Sequence, residues 1–105
     1  MTLTQEILER DNWTCQYCLG ERGRATTVDH IFSKADGRRL GIRRFDKRWC
    51  VAACISCNLR RMTYRFLPPS WEDRIPELNE LTPGKTWRVY SGGPVSDVFR
   101  KVHTA

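Results

Sequence analysis

Two C-x-x-C pairs, Cys15-Gln16-Tyr17-Cys18 and Cys54-Ile55-Ser56-Cys57, constrain this chain more than any other feature. Each pair lets two thiolates reach one ion from a tight turn, and two pairs complete a tetrahedral four-cysteine set of the structural zinc type. Four protein ligands leave no open position, so such a zinc holds a fold together and does no chemistry. The pairs are separated by 35 residues, which must leave the first turn and return to it. Disulfides, a redox C-x-x-C and chance spacing are the alternatives. Disulfides suit a secreted chain, but the N-terminus "MTLTQEILERD" lacks a basic segment followed by an apolar one, so no signal peptide is expected. A redox motif needs one pair, not two. The fifth cysteine, Cys50, reads as a small apolar core residue.

A staple matters because the chain has 105 residues, enough for one domain with a thin core. Zinc binding would add its free energy to folding. No apolar run approaches the roughly 20 residues of a membrane span, and a cytoplasmic protein with reduced cysteines is expected. Lys and Arg number 18 against 12 Asp and Glu, a net charge of +6. Most of the arginines fall in "GRRLGIRRFDKR" (37–48) and "NLRRMTYR" (58–65). Clustered arginine points to a polyanion, with nucleic acid ahead of a membrane surface; a solvated basic face is the plainer reading.

The local pattern predicts a mixture of helices and strands. Thr2 and Gln5 fit a capping box over a helix at 2–10, with Leu3, Ile7 and Leu8 on one face. The glycines of "CQYCLGERGR" mark a turn between short extended pieces. "ATTVDHIF" (25–32) reads as a strand, 37–48 as a basic loop holding Gly37 and Gly41, and "WCVAAC" as a second strand. From Ile55 a helical spacing begins, with Ile55, Leu59, Met62 and Phe66 on one stripe and Asn58, Arg61 and Arg65 on the next, until Pro68-Pro69 stops it. "TWRVY" reads as a strand, and Pro94 opens a last helix with Val95, Val98, Phe99 and Val102 on one face. Trp13, Trp49, Trp71 and Trp87 are expected in the core, and His103 in solvent.

One strand poses a chemical question. Asp29 and His30 sit side by side in an otherwise apolar stretch, where a buried charge is costly unless it is paired or binds a metal. If both cysteine pairs bind one zinc, that strand comes near the helix whose first turn carries Asn58. An oxygen ligand, an imidazole and a second oxygen ligand would then converge. Adjacent strand residues face opposite sides, so Asp29 and His30 share a site only at the strand end. Singly, each has a plainer role: a structural histidine, a turn-capping Asp29, a helix-capping Asn58.

The order of these motifs, C-x-x-C, then "VDHI", then "C-x-x-C-N" with basic residues following, resembles the HNH endonuclease family. "RDNWTCQYC" and "ACISCNLRR" are similar to the family's wording around its cysteines, and the likeness spans roughly residues 9–65. The resemblance implies an α+β fold: a small zinc-stapled ββα-metal domain, preceded by an N-terminal helix and followed by an irregular C-terminal extension. The core would span 1–66, with 67–105 packed on or beside it. It implies a structural Zn²⁺ on Cys15, Cys18, Cys54 and Cys57, and a catalytic Mg²⁺ or Mn²⁺ held by Asp29 and Asn58. His30 would be the general base; an imidazole titrating near about 6.5 suits proton abstraction at neutral pH. The reaction implied is hydrolysis of a phosphodiester in double-stranded DNA, by nicking or cutting. Arg60, Arg61 and Arg65 would grip flanking phosphates, and the loop arginines Arg38, Arg39, Arg43 and Arg44 would contact DNA.

The likeness has one departure. The family places an asparagine a few residues before the second cysteine pair, to orient the base. Counting back from Cys54 puts Trp49 there, and no Asn occurs from 31 to 57. Asp46 or a backbone group would have to substitute, or the base is held less rigidly. The alternative functions are thus a catalytically weak or inactive nucleic-acid-binding zinc module, and a small zinc adaptor for a protein. A monomer or homodimer of the small stand-alone phage or bacterial type is expected, working with phage packaging or other DNA-processing proteins.

Overall fold

The N-terminal helix forms where its cap demands it. Helix α1 spans Leu3–Arg10; the Thr2 hydroxyl accepts from the Gln5 amide at 3.2 Å while the Gln5 side chain accepts from the Thr2 amide at 3.0 Å. Ile7 and Leu8 are buried, as the spacing predicts. Each contributes about 1.5–3 kcal/mol by leaving water. Its far end is clamped to the next layer by Arg10 and Asp11. Arg10 pairs with Asp11 at 2.8 Å and donates to the carbonyls of Lys47 and Cys50, while Asp11 accepts from the Ala52 amide at 2.9 Å.

This computed structural model describes residues 1–43, 46–64 and 66–90, with the side chains of 60–64 left aside. Strand β1 (Thr27–His30) pairs antiparallel with β2 (Cys50–Ala53), Thr27 opposite Ala53 and His30 opposite Cys50. Helix α3 (Ile55–Tyr64) follows β2 directly and lies against β1. The expected strand–strand–helix succession is therefore present.

Between the strands the chain is not the expected basic loop. Residues Lys34–Leu40 form helix α2, capped by Ser33, whose hydroxyl accepts from the Asp36 amide at 3.1 Å. Gly41 closes it in the left-handed region (φ 72°), and the Ile42 amide returns to the Gly37 carbonyl at 2.8 Å. That return brings the Ile42 carbonyl oxygen to 3.0 Å from where a Cβ on residue 37 would lie. Gly37 is therefore a close-approach residue inside a helix, although its usual meaning is a break.

The stretch 66–90 is likewise more ordered than an irregular extension. Strand β3 (Phe66–Leu67) pairs in parallel with β4 (Arg88–Val89), around a 3-10 turn at Pro69–Arg74 and helix α4 (Ile75–Leu81). It joins the core through aromatic side chains: Trp49 meets Phe32 at 5.1 Å and Trp71 at 6.0 Å, and Phe32 meets Trp87 at 6.2 Å, all edge to face. The result is α+β with two small sheets. No helix among the described residues is long and apolar enough to cross a membrane. The helix predicted from Pro94, His103, Arg44 and Arg65 lie outside the described residues.

Candidate metal centre and the adjoining strand end

The first cysteine pair sits on a turn that the chain must strain to make. Asn12, Trp13 and Leu19 all adopt positive φ, near 55°, a conformation costly for side chains with a Cβ. The turn folds back at Cys18: the Leu19 amide bonds the Cys15 carbonyl at 2.9 Å, and the Arg22 amide points at the Cys18 sulfur at 3.4 Å. The second pair straddles the start of α3, where the Cys57 amide points at the Cys54 sulfur at 3.4 Å. Backbone N–H groups and the positive end of a helix dipole both favour thiolate over thiol.

These two turns meet. The sulfurs of Cys15, Cys18, Cys54 and Cys57 lie within 4.8 Å of one another, all four residues buried. A tetrahedral zinc with bonds of about 2.3 Å requires sulfurs about 3.8 Å apart, and Cys18 lies 4.0 Å from Cys54. The four cysteines thus fit a metal ion of the structural zinc type. Their protons are already unevenly shared. A hydrogen bond from the Cys57 thiol pulls Cys15 down to about 5 against the effect of burial, helped by the backbone amides of Cys18, Cys54 and Tyr17. The same bond, with burial, pushes Cys57 up, and burial raises Cys54. Cys50 is wholly buried in the core.

The sulfur cluster fixes how α3 is turned. Cys57 must face the other sulfurs, and at 100° per residue Ile55 and Leu59 lie 200° round the helix from it. They are accordingly exposed, at 59% and 63%. Phe66, the last member of the stripe read from the spacing, belongs to β3. Asn58, one residue past the last sulfur, is turned to β1, where its Nδ2 donates to the Thr27 hydroxyl at 3.2 Å and that hydroxyl donates to the Ala53 carbonyl at 2.8 Å.

Thr27 and Asp29 project from the same face of β1, so Asn58 and Asp29 flank one surface. Asp29 is buried, 4% exposed, and accepts a hydrogen bond from the Tyr17 hydroxyl. His30 ends the strand, half-buried, with its Nε2 shielded from solvent. The sequence reading missed Tyr17. It lies between the first two cysteines, so the turn that presents the sulfurs also ties the cluster to Asp29. A tyrosine inside C-x-x-C, ahead of a buried aspartate, is the signal that was available.

Trp49, at the position of the family's asparagine, is buried in the aromatic cluster. Its carbonyl accepts from the Ile31 amide at 2.9 Å, while Asp46 caps the turn at Lys47–Trp49 by accepting from Arg48. Of the arginines expected on DNA, Arg38, Arg39 and Arg43 are exposed, with Arg39 paired to Asp36 at 3.0 Å. The side chains of Arg60 and Arg61 are not described. No family model, no curated protein and no solved structure matches this chain. The fold and the site therefore define a class only: a small α+β chain with a buried four-cysteine cluster fit for a metal ion.

Proposed function

We propose that the chain is a metal-dependent DNA endonuclease of the HNH type. The observation that carries this is the meeting of β1 and α3. Asn58, next to the last sulfur, bonds Thr27, which opens the strand on the same face as Asp29, and His30 closes the strand one residue past Asp29. With its Nδ2 given to Thr27, Asn58 keeps its amide oxygen as acceptor, and a carboxylate with one amide oxygen is the sparse, hard donor set a magnesium-like ion accepts. Such an ion, when bound by Asp29 and Asn58, supplies charge neutralisation at the scissile phosphate and the leaving 3′-oxygen. Tyr17 and Thr27 hold the two ligand side chains in place. His30 takes the proton from the attacking water. The exposed Arg38, Arg39 and Arg43, with Arg44, Arg60, Arg61 and Arg65, steer and hold the duplex.

Plasmid relaxation by zinc-loaded protein with Mg²⁺, with Mn²⁺ or with neither, beside His30→Ala, is the test. Metal-dependent nicking that the variant loses is the expected result. Absence of cutting with every ion, while the duplex is still bound, selects the second reading, a nucleic-acid-binding zinc module. One observation favours that second reading: the position of the orienting asparagine is filled by Trp49, whose ring belongs to the core.

A further inference from the structure

A cleft of about 340 Å³, not lined by Asp29 or His30, opens between the end of α1, β2 and the 3-10 turn at Pro69–Arg74. Four of its lining side chains are cations, Arg10, Lys47, Arg48 and Arg74, against one acid, Asp11. They differ in what already holds them. Arg10 is committed, by its fork on Asp11 and its bonds to two backbone carbonyls. Lys47 and Arg48 pair with Glu6 at 2.6 Å and Glu77 at 2.9 Å, through exposed contacts on the rim. Arg74 is different. Its guanidinium lies against the rings of Trp49 and Trp71, 4.1 and 3.9 Å from their centroids, and among the described residues it pairs with no carboxylate.

The two indole faces attract the guanidinium and fix its plane, while the neighbouring charges of Arg48 and Arg10 favour an anion beside it. Burial draws the Arg74 guanidinium below its ordinary value; Glu77 acts against this, and Arg48 and Arg10 reinforce it. The rim cations can change partners at little cost, because exposed ion pairs contribute only about 0.2–1 kcal/mol. A guanidinium fork with two further cations around a small opening matches the size and charge of a phosphate.

We propose that this cleft binds a backbone phosphate of a nucleic-acid strand, with Arg74 on its floor and Arg48 and Lys47 closing from the rim. The inference rests on nucleic acid being the partner, as read above, and is independent of the cleavage chemistry. It adds a contact on the α1 side of the molecule, separate from the arginines of α2 and α3.

The test is fluorescence anisotropy of a labelled DNA duplex of about 16 base pairs with zinc-loaded protein and no added Mg²⁺ or Mn²⁺, so that nothing is cut, between about 50 and 200 mM salt. Arg48→Gln should weaken binding about tenfold, the worth of one charge-assisted bond, and lower the salt slope by about one. Glu77→Gln should tighten binding about two- to fivefold, because it frees Arg48 from its competitor. The decisive reading is a gain larger than that of Glu80→Gln, an exposed acid outside the cleft lining, because loss of any acid lowers repulsion of a polyanion. Both substitutions are on exposed side chains, so folding is not at stake. Unchanged affinity and slope in both variants, with the duplex still bound, overturns the cleft and leaves the nucleic-acid reading standing. No duplex binding by the unaltered protein overturns both.

Discussion

Removing the metal should unfold this protein, not merely soften it. The four sulfurs tie turn 15–18 to the head of α3, closing a loop of roughly 40 residues; a covalent tie across such a loop contributes about 4 kcal/mol. Zinc on four thiolates contributes more, about 10–16 kcal/mol in small zinc domains. A domain of this size has about 5–15 kcal/mol in total. The aromatic cluster around Trp49 lies outside the sulfur site but cannot make up that deficit. We therefore expect zinc-loaded protein to melt in one cooperative transition with one ion per chain. Protein dialysed against a strong chelator, or Cys54→Ser, should show no such transition in circular dichroism at room temperature. Binding must release protons from thiols, so affinity falls as pH falls, and zinc release should precede global acid unfolding. Colorimetric zinc release recorded beside ellipticity follows both. An ion-free sample that melts at the same temperature as the loaded one would refute the reasoning, since the sulfur cluster would then be an ordinary part of the core.

Three further outcomes follow from the geometry. Tyr17→Phe removes a donor from the buried Asp29 carboxylate, and should cost about 1–3 kcal/mol in urea unfolding while lowering any Mg²⁺-dependent cleavage more than it lowers DNA binding. Trp49→Asn restores the family's letter but takes a ring from contact with Phe32 and Trp71; it should destabilise by about 3–5 kcal/mol and leave cleavage no faster, as thermal melts and plasmid relaxation will show. Burial, reinforced by Cys57, Glu21 and Cys18, pushes the Tyr90 phenol up to about 12. Its folded value is raised above that of the unfolded chain, so the stability it gives is intact below about 10 and lost as pH rises through about 12. Tyrosinate absorbance should therefore include a late-ionising phase that Tyr90→Phe diminishes, coincident with alkaline unfolding.

What the sequence disclosed was what local chemistry alone decides. The Thr2–Gln5 box, the alternation around Asp29 and the C-x-x-C spacing each act within a few residues, and each reappears in the fold. The errors arose where a distant partner decides. Gly37 and Gly41 read as loop because glycine weakens a helix by about 1 kcal/mol. Ser33 and Asp36 supplied a start signal and the left-handed Gly41 a stop, so the same glycines close a short helix. Which face of α3 is buried was not legible from its apolar spacing, because one sulfur ligand in its first turn outweighs the aliphatic side chains of Ile55 and Leu59.

The same principle bears on Trp49 and sets the two functional readings against each other. An indole belongs there because 66–90 brings Trp71 and Arg74 onto it, and that packing lies beyond the motif that made the residue look like a substitution. The asparagine's task, to hold an imidazole by its side chain, passes at this position to nothing polar. What the backbone retains is the Trp49 carbonyl, which accepts from Ile31, the residue after His30. The strand that carries His30 is thus also held through its main chain, at the residue that follows it. A nuclease of this construction would cut slowly and be insensitive to substitution at Asp46, whose carboxylate is occupied with the Arg48 amide. If Asp46→Ala instead abolishes metal-dependent nicking while zinc content and melting stay unchanged, the orienting role has passed to that carboxylate, and the backbone account of His30 is wrong.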